Sequence, residues 1–250
     1  MRNPEQEHPA DAANAIDDAH WALYESVIDA AAQADIPFAL GGTFGVSTYT
    51  GVARNTKDLD LYILPPDRHR AIEAVTWLGF RDYFDEAPYD RKWIYRATRD
   101  GSIVDIIWSM ANQRAEVDSR WMCGPSVQLR GRTVKVLPAE AILWDKLYIM
   151  QRERCDWPDV LNLLYSAGQN LNWEEVLQRL GDDLPLLTGA LAVFRWLSPG
   201  VAAGFPGWLW SAVQLPPPPE NAGPEIVPER VAWLDTRPWY AQKDGASNKG

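Results

Sequence analysis

Two aspartates set into an apolar strand constrain this chain more than any other feature. In Asp58-Leu59-Asp60-Leu61-Tyr62-Ile63 the aliphatic residues alternate with the carboxylates. Side chains on a strand alternate faces, so Asp58 and Asp60 share one face while Leu59, Leu61 and Ile63 share the other. By the rise per residue the two carboxylates stand about 7 Å apart, and they repel unless positive charge sits beside them. A divalent cation is the natural partner, and all-oxygen ligation suits Mg2+ or Mn2+ rather than zinc. The three histidines, His8, His20 and His69, show no metal-ligand spacing.

A third carboxylate, Asp105, stands alone among Ile103, Val104, Ile106, Ile107 and Trp108, where an unpaired charge is costly. If its strand lies beside Asp58–Ile63, Asp105 faces the same site, and three carboxylates from two strands would hold two cations ~3.5–4 Å apart. The other reading pairs Asp105 with Arg96 or Lys92 across a hairpin, as a structural carboxylate. Gly41-Gly42 closes the short apolar stretch Pro37–Leu40 just ahead of a helix, where bare backbone lets a phosphate approach N–H groups at the helix N-terminus. No Gly-Lys-Ser/Thr follows, which excludes a P-loop, and the Gly-x-Gly-x-x-Gly spacing is incomplete.

Around these residues the chain reads as α+β: a mixed sheet flanked by helices, followed by a smaller helical C-terminal lobe. A first helix is expected to bury Ile16, Ala19, Leu23, Val27 and Ala30, and a later one to run from Asp67 or a neighbour to about Gly79. Lys92–Thr98 and Ser102–Trp108 flank Arg99-Asp100-Gly101 as a hairpin, with Asp-Gly as the tight-turn dipeptide, and Val127–Leu137 forms a second around the weaker turn signal Arg130-Gly131-Arg132. After Pro138 helices are expected over 138–152, 157–168 and 172–181. Asp156 or Asp159 reads as an N-cap or first-turn residue around Pro158. The expected division is a tail over 1–14, a catalytic domain over 15–137, a helical lobe over 138–200, and a Pro/Trp-rich extension with a flexible tail over 201–250.

Gly41-Gly42, a spacer, Asp58-x-Asp60 and the later Asp105 together resemble the DNA polymerase β-type nucleotidyltransferase superfamily. Within it, residues 36–63 and 141–151 are similar to aminoglycoside 2''-adenylyltransferases. Residues 144–164 are similar to the Lys-then-Asp helical segment of AbiEii-like nucleotidyltransferases. The resemblance covers about residues 15–170. It implies a nucleotidyltransferase-type sheet and transfer of a nucleoside monophosphate from an NTP to a hydroxyl. Asp58, Asp60 and Asp105 would be catalytic and would hold two Mg2+ or Mn2+ ions, with Asp105 as the third carboxylate. Gly41, Gly42, Thr43, Arg54, Lys57 and Lys146 would bind the nucleotide, with Lys146 near the phosphates or base and Asp159 supporting the site. As a bland alternative, Lys146 is a solvated helix residue.

Charge narrows the acceptor without naming it. The net charge of -10 over 250 residues opposes a broad, sequence-independent grip on nucleic acid. Arg91, Lys92, Arg96 and Arg99, then Arg130, Arg132 and Lys135, then Arg152 and Arg154, nevertheless make a basic middle. It reads either as a charged sheet edge or as a phosphate- or RNA-facing rim. The acceptor is a small-molecule hydroxyl such as an antibiotic's, an RNA or a protein. A reading from another class is a catalytically retired nucleotidyltransferase fold acting as a nucleotide- or partner-binding module. Two cysteines, Cys123 and Cys155, make no disulfide framework, no signal peptide is visible, and the apolar tract 184–210 is interrupted, so a cytoplasmic protein without a membrane span is expected.

Overall fold

The computed structural model describes residues 16–52, 56–219, 221–235 and 240. The chain divides after Pro138 into two units, each with its own core.

The first unit is built on a five-stranded mixed sheet. Its strands are β1 (Phe38–Leu40), β2 (Asp58–Ile63), β3 (Arg81–Asp82), β4 (Ile94–Arg99) and β5 (Ser102–Ile107), in the order β1-β2-β5-β4-β3. Only β2 and β5 run parallel; the other pairs are antiparallel. The β4–β5 turn uses the expected Asp-Gly pair, with both Asp100 (φ 50°) and Gly101 (φ 79°) left-handed, and Arg99 belongs to β4 rather than to the turn. That geometry matches the right-handed twist of the flanking strands. A second hairpin, β6 (Ser126–Leu129) and β7 (Arg132–Lys135), turns the same way at Arg130 and Gly131, so this weaker Arg-Gly signal also folded as a tight turn.

Leu59, Leu61 and Ile63 of β2, with Val104 and Ile106 of β5, form the inner sheet face, where each is at most 2% exposed. They share a core with residues of α1 (Asp18–Gln33) and α3 (Arg68–Trp77). The Asp17 carboxylate caps α1, accepting from the N–H groups of Ala19 and His20 at 3.1 and 3.0 Å. This helix buries Trp21, Tyr24, Val27, Ile28 and Ala31. Its buried stripe therefore differs from the expected one through Ala19 and Ala30: the two aromatic rings remove far more apolar area from water than alanines do, and they set the rotation. The strand alternation that puts the aliphatic residues inward puts Asp58, Asp60 and Asp105 on the opposite face.

The second unit is helical: α4 (Ala139–Leu147), α5 (Trp157–Ala167), α6 (Trp173–Leu180), α7 (Leu184–Leu197), α8 (Pro199–Ala202), α9 (Gly207–Ala212) and α10 (Pro228–Leu234). Helix α4 stops at Leu147, short of the expected 152. The chain then turns back, with a bridge between Met150 and Cys155 and the Gln151 N–H donating to the Arg154 carbonyl at 2.7 Å. The stretch just after Gly200 packs on the other helices of this unit. Phe205 stacks on Phe194 (5.4 Å) and Trp210 (6.1 Å), and Leu209, Trp210 and Val213 are at most 1% exposed. Phe205 and Trp210 supply the core that the short helices α8 and α9 need, whereas Trp208 and Trp233 are exposed. The tails expected over 1–14 and at the C-terminus lie outside the described residues, apart from Tyr240. No described helix is long and apolar enough to cross a membrane.

Candidate active site

The sheet register aligns four residues in a row. The Gly41 N–H donates to the Asp60 carbonyl at 3.0 Å, Asp60 stands opposite Asp105, and Asp105 stands opposite Arg96. Residues paired in a ladder project from the same face, so the three side chains meet side by side. Asp58, two residues before Asp60 on that face, is fixed through its backbone. The Thr56 hydroxyl accepts from the Asp58 N–H at 3.2 Å and lies 3.1 Å from the Asp58 carbonyl as donor. The charges of Asp58 and Asp60 reach through to Tyr24, whose phenol is held above its ordinary value, first by burial and then by the two carboxylates.

Both glycines are required by neighbours on this row. A Cβ on Gly41 would meet the Tyr62 ring at 2.2 Å. Tyr62 follows Asp60 by two residues on the same face and stacks on Trp121 at 5.5 Å. Gly42 has φ +49°, and a Cβ there would come to 1.7 Å from Oδ2 of Asp60. Helix α2 (Gly42–Thr50) therefore begins against the Asp60 carboxylate, and only a residue without a side chain allows that approach. The α2 N-terminus offers unsatisfied N–H groups at this end of the row, and Thr43 is its second residue. Tyr49 anchors the helix by donating to the Leu137 carbonyl at 2.8 Å.

Of the two readings of Asp105, the pairing with Arg96 is present in the structure. Arg96 grips it with both arms, Nε to Oδ1 at 2.8 Å and Nη2 to Oδ2 at 2.6 Å. Asp105 is 2% exposed, whereas a third of the Arg96 side chain is open to water. The Arg96 guanidinium is held charged well above its ordinary value, first by the hydrogen bonds to Asp105 and also by the charges of Asp105, Asp58 and Asp60; burial works against this. Tyr89 fixes the arginine's backbone: its hydroxyl accepts from the Arg96 N–H at 3.0 Å and donates to Asp82 Oδ1 at 2.9 Å. Burial pushes the Tyr89 phenol up to about 12. Nothing in the local sequence around Tyr89 points to this role; it depends on a loop returning beside β4.

Lys146 belongs to the second unit and is not the solvated residue of the bland reading. At 7% exposure it donates to Asp156 Oδ2 at 2.6 Å and lies 2.9 Å from Asp159 Oδ2. Burial alone would lower its value, but the two carboxylates outweigh it and hold the ammonium above its ordinary range. Asp156 occupies the N-cap position of α5 without capping it, because its side chain turns to Lys146 and to Arg154 at 2.9–3.0 Å. The turn that ends α4 early is what returns Asp156 to this lysine. Lys57 is exposed at the entry to β2, its carbonyl accepting from the Ile103 N–H at 2.9 Å. Arg54 lies outside the described residues.

The basic middle is mostly neutralised. Arg91 pairs with Asp82, Arg99 with Asp100, Arg130 with Asp18, Arg132 with Glu25 and Asp29, Arg152 with Glu153, and Arg154 with Asp156. Among the described residues no group of three or more His, Cys, Asp or Glu side chains is arranged to hold a metal ion. The donor set that fits a hard divalent cation is Asp58 with Asp60, two part-exposed carboxylates on one face; Asp105 already has a cation on it.

No family model matches the chain, and no curated protein does. Among solved structures it is similar to the antibiotic-resistance factor ANT(2'')-Ia in solution, at 21% identity over 68% of this chain and 94% of that one, with a TM-score of 0.49. The crystal structure of ANT(2'')-Ia in complex with adenylyl-2''-tobramycin is similar at 18% identity over 71% and 98%, with a TM-score of 0.41. The lincosamide antibiotic adenylyltransferase LnuA, lincomycin-bound, is similar at 16% identity over 59% and 96%, with a TM-score of 0.42. At these identities, chemistry follows from the residues of the site alone.

Proposed function

We propose that this protein is a metal-dependent nucleotidyltransferase, moving a nucleoside monophosphate from an NTP to a hydroxyl acceptor with pyrophosphate leaving. The observation that carries this reading is the approach of the α2 N-terminus to Asp60, with Asp105 directly beside it on the parallel strand. One end of the row offers N–H donors to phosphate, and its middle offers carboxylates to a cation and to an acceptor proton.

Asp58 and Asp60 would hold Mg2+ or Mn2+, which when bound neutralises charge on the phosphates. The N–H groups of Gly42 and Thr43 receive phosphate oxygens of the NTP, where the helix dipole favours negative charge. Asp105, paired with Arg96, would be the carboxylate that takes the acceptor's proton. Catalysis of this kind comes chiefly from positioning and fixed charge rather than covalent chemistry. A small-molecule acceptor suits the protein better than RNA does, because arginines that would face phosphates already carry carboxylates.

Incubation with each α-labelled NTP and Mg2+, against a panel of aminoglycosides, lincosamides, tRNA and the protein itself, tests this. Label is expected on a small molecule, and Asp58→Ala and Asp60→Ala should each abolish it while leaving the fold intact. Transfer that survives in both variants overturns the mechanism. NTP binding with no transfer to any acceptor points instead to a nucleotide-binding module.

A further inference from the structure

We infer that Arg96 is the resident second cation of this site, so that the protein works with one divalent ion, at Asp58 and Asp60, where three carboxylates would otherwise call for two. The inference rests on the proposed nucleotidyl transfer. It replaces the two-ion expectation drawn from the carboxylate count.

Three observations carry it. The guanidinium takes both oxygens of Asp105 at 2.6–2.8 Å, so a metal ion reaching that carboxylate must displace an arginine already seated there. Two-point contact between planar groups is the arrangement in which arginine is hardest to exchange for a point charge. The arginine is also locked from behind: Tyr89 binds its N–H and is itself held by Asp82, so its backbone cannot drift from the row. Finally, its side chain is part-open to water and within the field of Asp58 and Asp60. It sits where positive charge is wanted and can face an incoming phosphate. A plain structural pair needs the first of these but neither the lock nor the shared field.

Ion counting separates the possibilities. The full-length protein would be saturated with a non-hydrolysable ATP analogue and titrated with Mn2+, following free ion by electron paramagnetic resonance. One Mn2+ per chain is expected for the wild type, including the ion that arrives on the nucleotide. Arg96→Met should expose Asp105 and raise the count to two, whereas Arg96→Lys, which keeps a charge, should hold it at one with a lowered kcat and little change in KM. Should Arg96→Met fail to fold, the wild-type and Arg96→Lys counts decide alone. Two ions on the wild type overturn the inference and leave nucleotidyl transfer standing. No ion on the wild type, or one that survives Asp58→Asn and Asp60→Asn, overturns the metal site itself and the inference with it. A folded Arg96→Met that still counts one reduces Arg96 to a structural partner.

Discussion

Gly42 and Asp60 occupy the same small space: a Cβ on the glycine would lie 1.7 Å from the carboxylate's Oδ2. Gly42→Ala must therefore move either Asp60 or the start of α2. Gly51 is the natural control, since it is also left-handed (φ +69°) but has nothing within 4 Å of the added carbon. Both substitutions should lower stability by about 1–2 kcal/mol through backbone strain. Only Gly42→Ala should lose transfer, by about 100-fold or more, as expected for a misplaced reacting group. Melting curves and rates on the two variants check this, and equal activities would detach Gly42 from the site.

Asp105→Asn should show both a structural and a chemical effect. Losing the partner of Arg96 should lower stability by up to about 3 kcal/mol, moderated by the arginine's access to water. Losing the proton acceptor should cut turnover by ~10²–10⁴-fold. The double variant Arg96→Met/Asp105→Asn removes the charge imbalance, so its melting temperature should recover while its turnover does not. Recovery of both would take Asp105 out of the chemistry.

The cluster around Lys146 predicts a pH window for stability. Asp156 is held below its ordinary 3.8: burial pushes it up, but the hydrogen bond from Arg154 and the charge of Lys146 outweigh this. A depressed carboxylate contributes stability that is present above 3.8 and lost as pH falls through its lower folded value. Lys146 is held above its ordinary 10.5, so its contribution is full below 10.5 and lost as pH rises through the higher folded value. Melting temperature should thus hold a plateau between those values and fall on both sides. Lys146→Met should lower stability by roughly 3–5 kcal/mol by leaving buried carboxylates uncompensated. Lys146→Met/Asp159→Asn should recover part of it, and a single-variant loss under about 1 kcal/mol would contradict the buried-pair account.

RNA binding should be weak at physiological salt, with a shallow dependence of affinity on salt concentration, because most of the arginines on the hairpins are already paired. Reversing Arg91 and Lys92 to glutamate should leave transfer to a small-molecule acceptor nearly unchanged. Filter binding of tRNA across a salt series measures the slope; a steep one would restore the RNA-facing rim.

Much of the candidate site's placement was legible because strand periodicity is a local rule. Asp58, Asp60 and Asp105 were readable as charges that apolar strands do not accept without a purpose, and Gly41-Gly42 as backbone left bare. Apart from Arg96, the companions of those residues were not. Tyr62 was hidden as an ordinary aromatic strand residue, although its place two positions after Asp60 was the available signal. Tyr89 and the Lys146–Asp156 pair depend on loops that return from outside their own elements. The buried face of α1 was misread because an alanine count ignores how much more area Trp21 and Tyr24 remove from water.

By itself the sequence determined the faces of the strands, the tight turn at Asp100-Gly101 and the presence of three buried or half-buried carboxylates, since each follows from neighbours within a few residues. It left Asp105 as an alternative between a metal-facing carboxylate and a partner of Arg96. Tertiary structure supplied its neighbours by register: β5 lies between β2 and β4, so Asp105 has Asp60 on one side and its partner Arg96 on the other. No local pattern encodes which strand becomes the central one, because that choice is set by the burial of Leu59, Leu61, Val104 and Ile106 against helices distant in the chain.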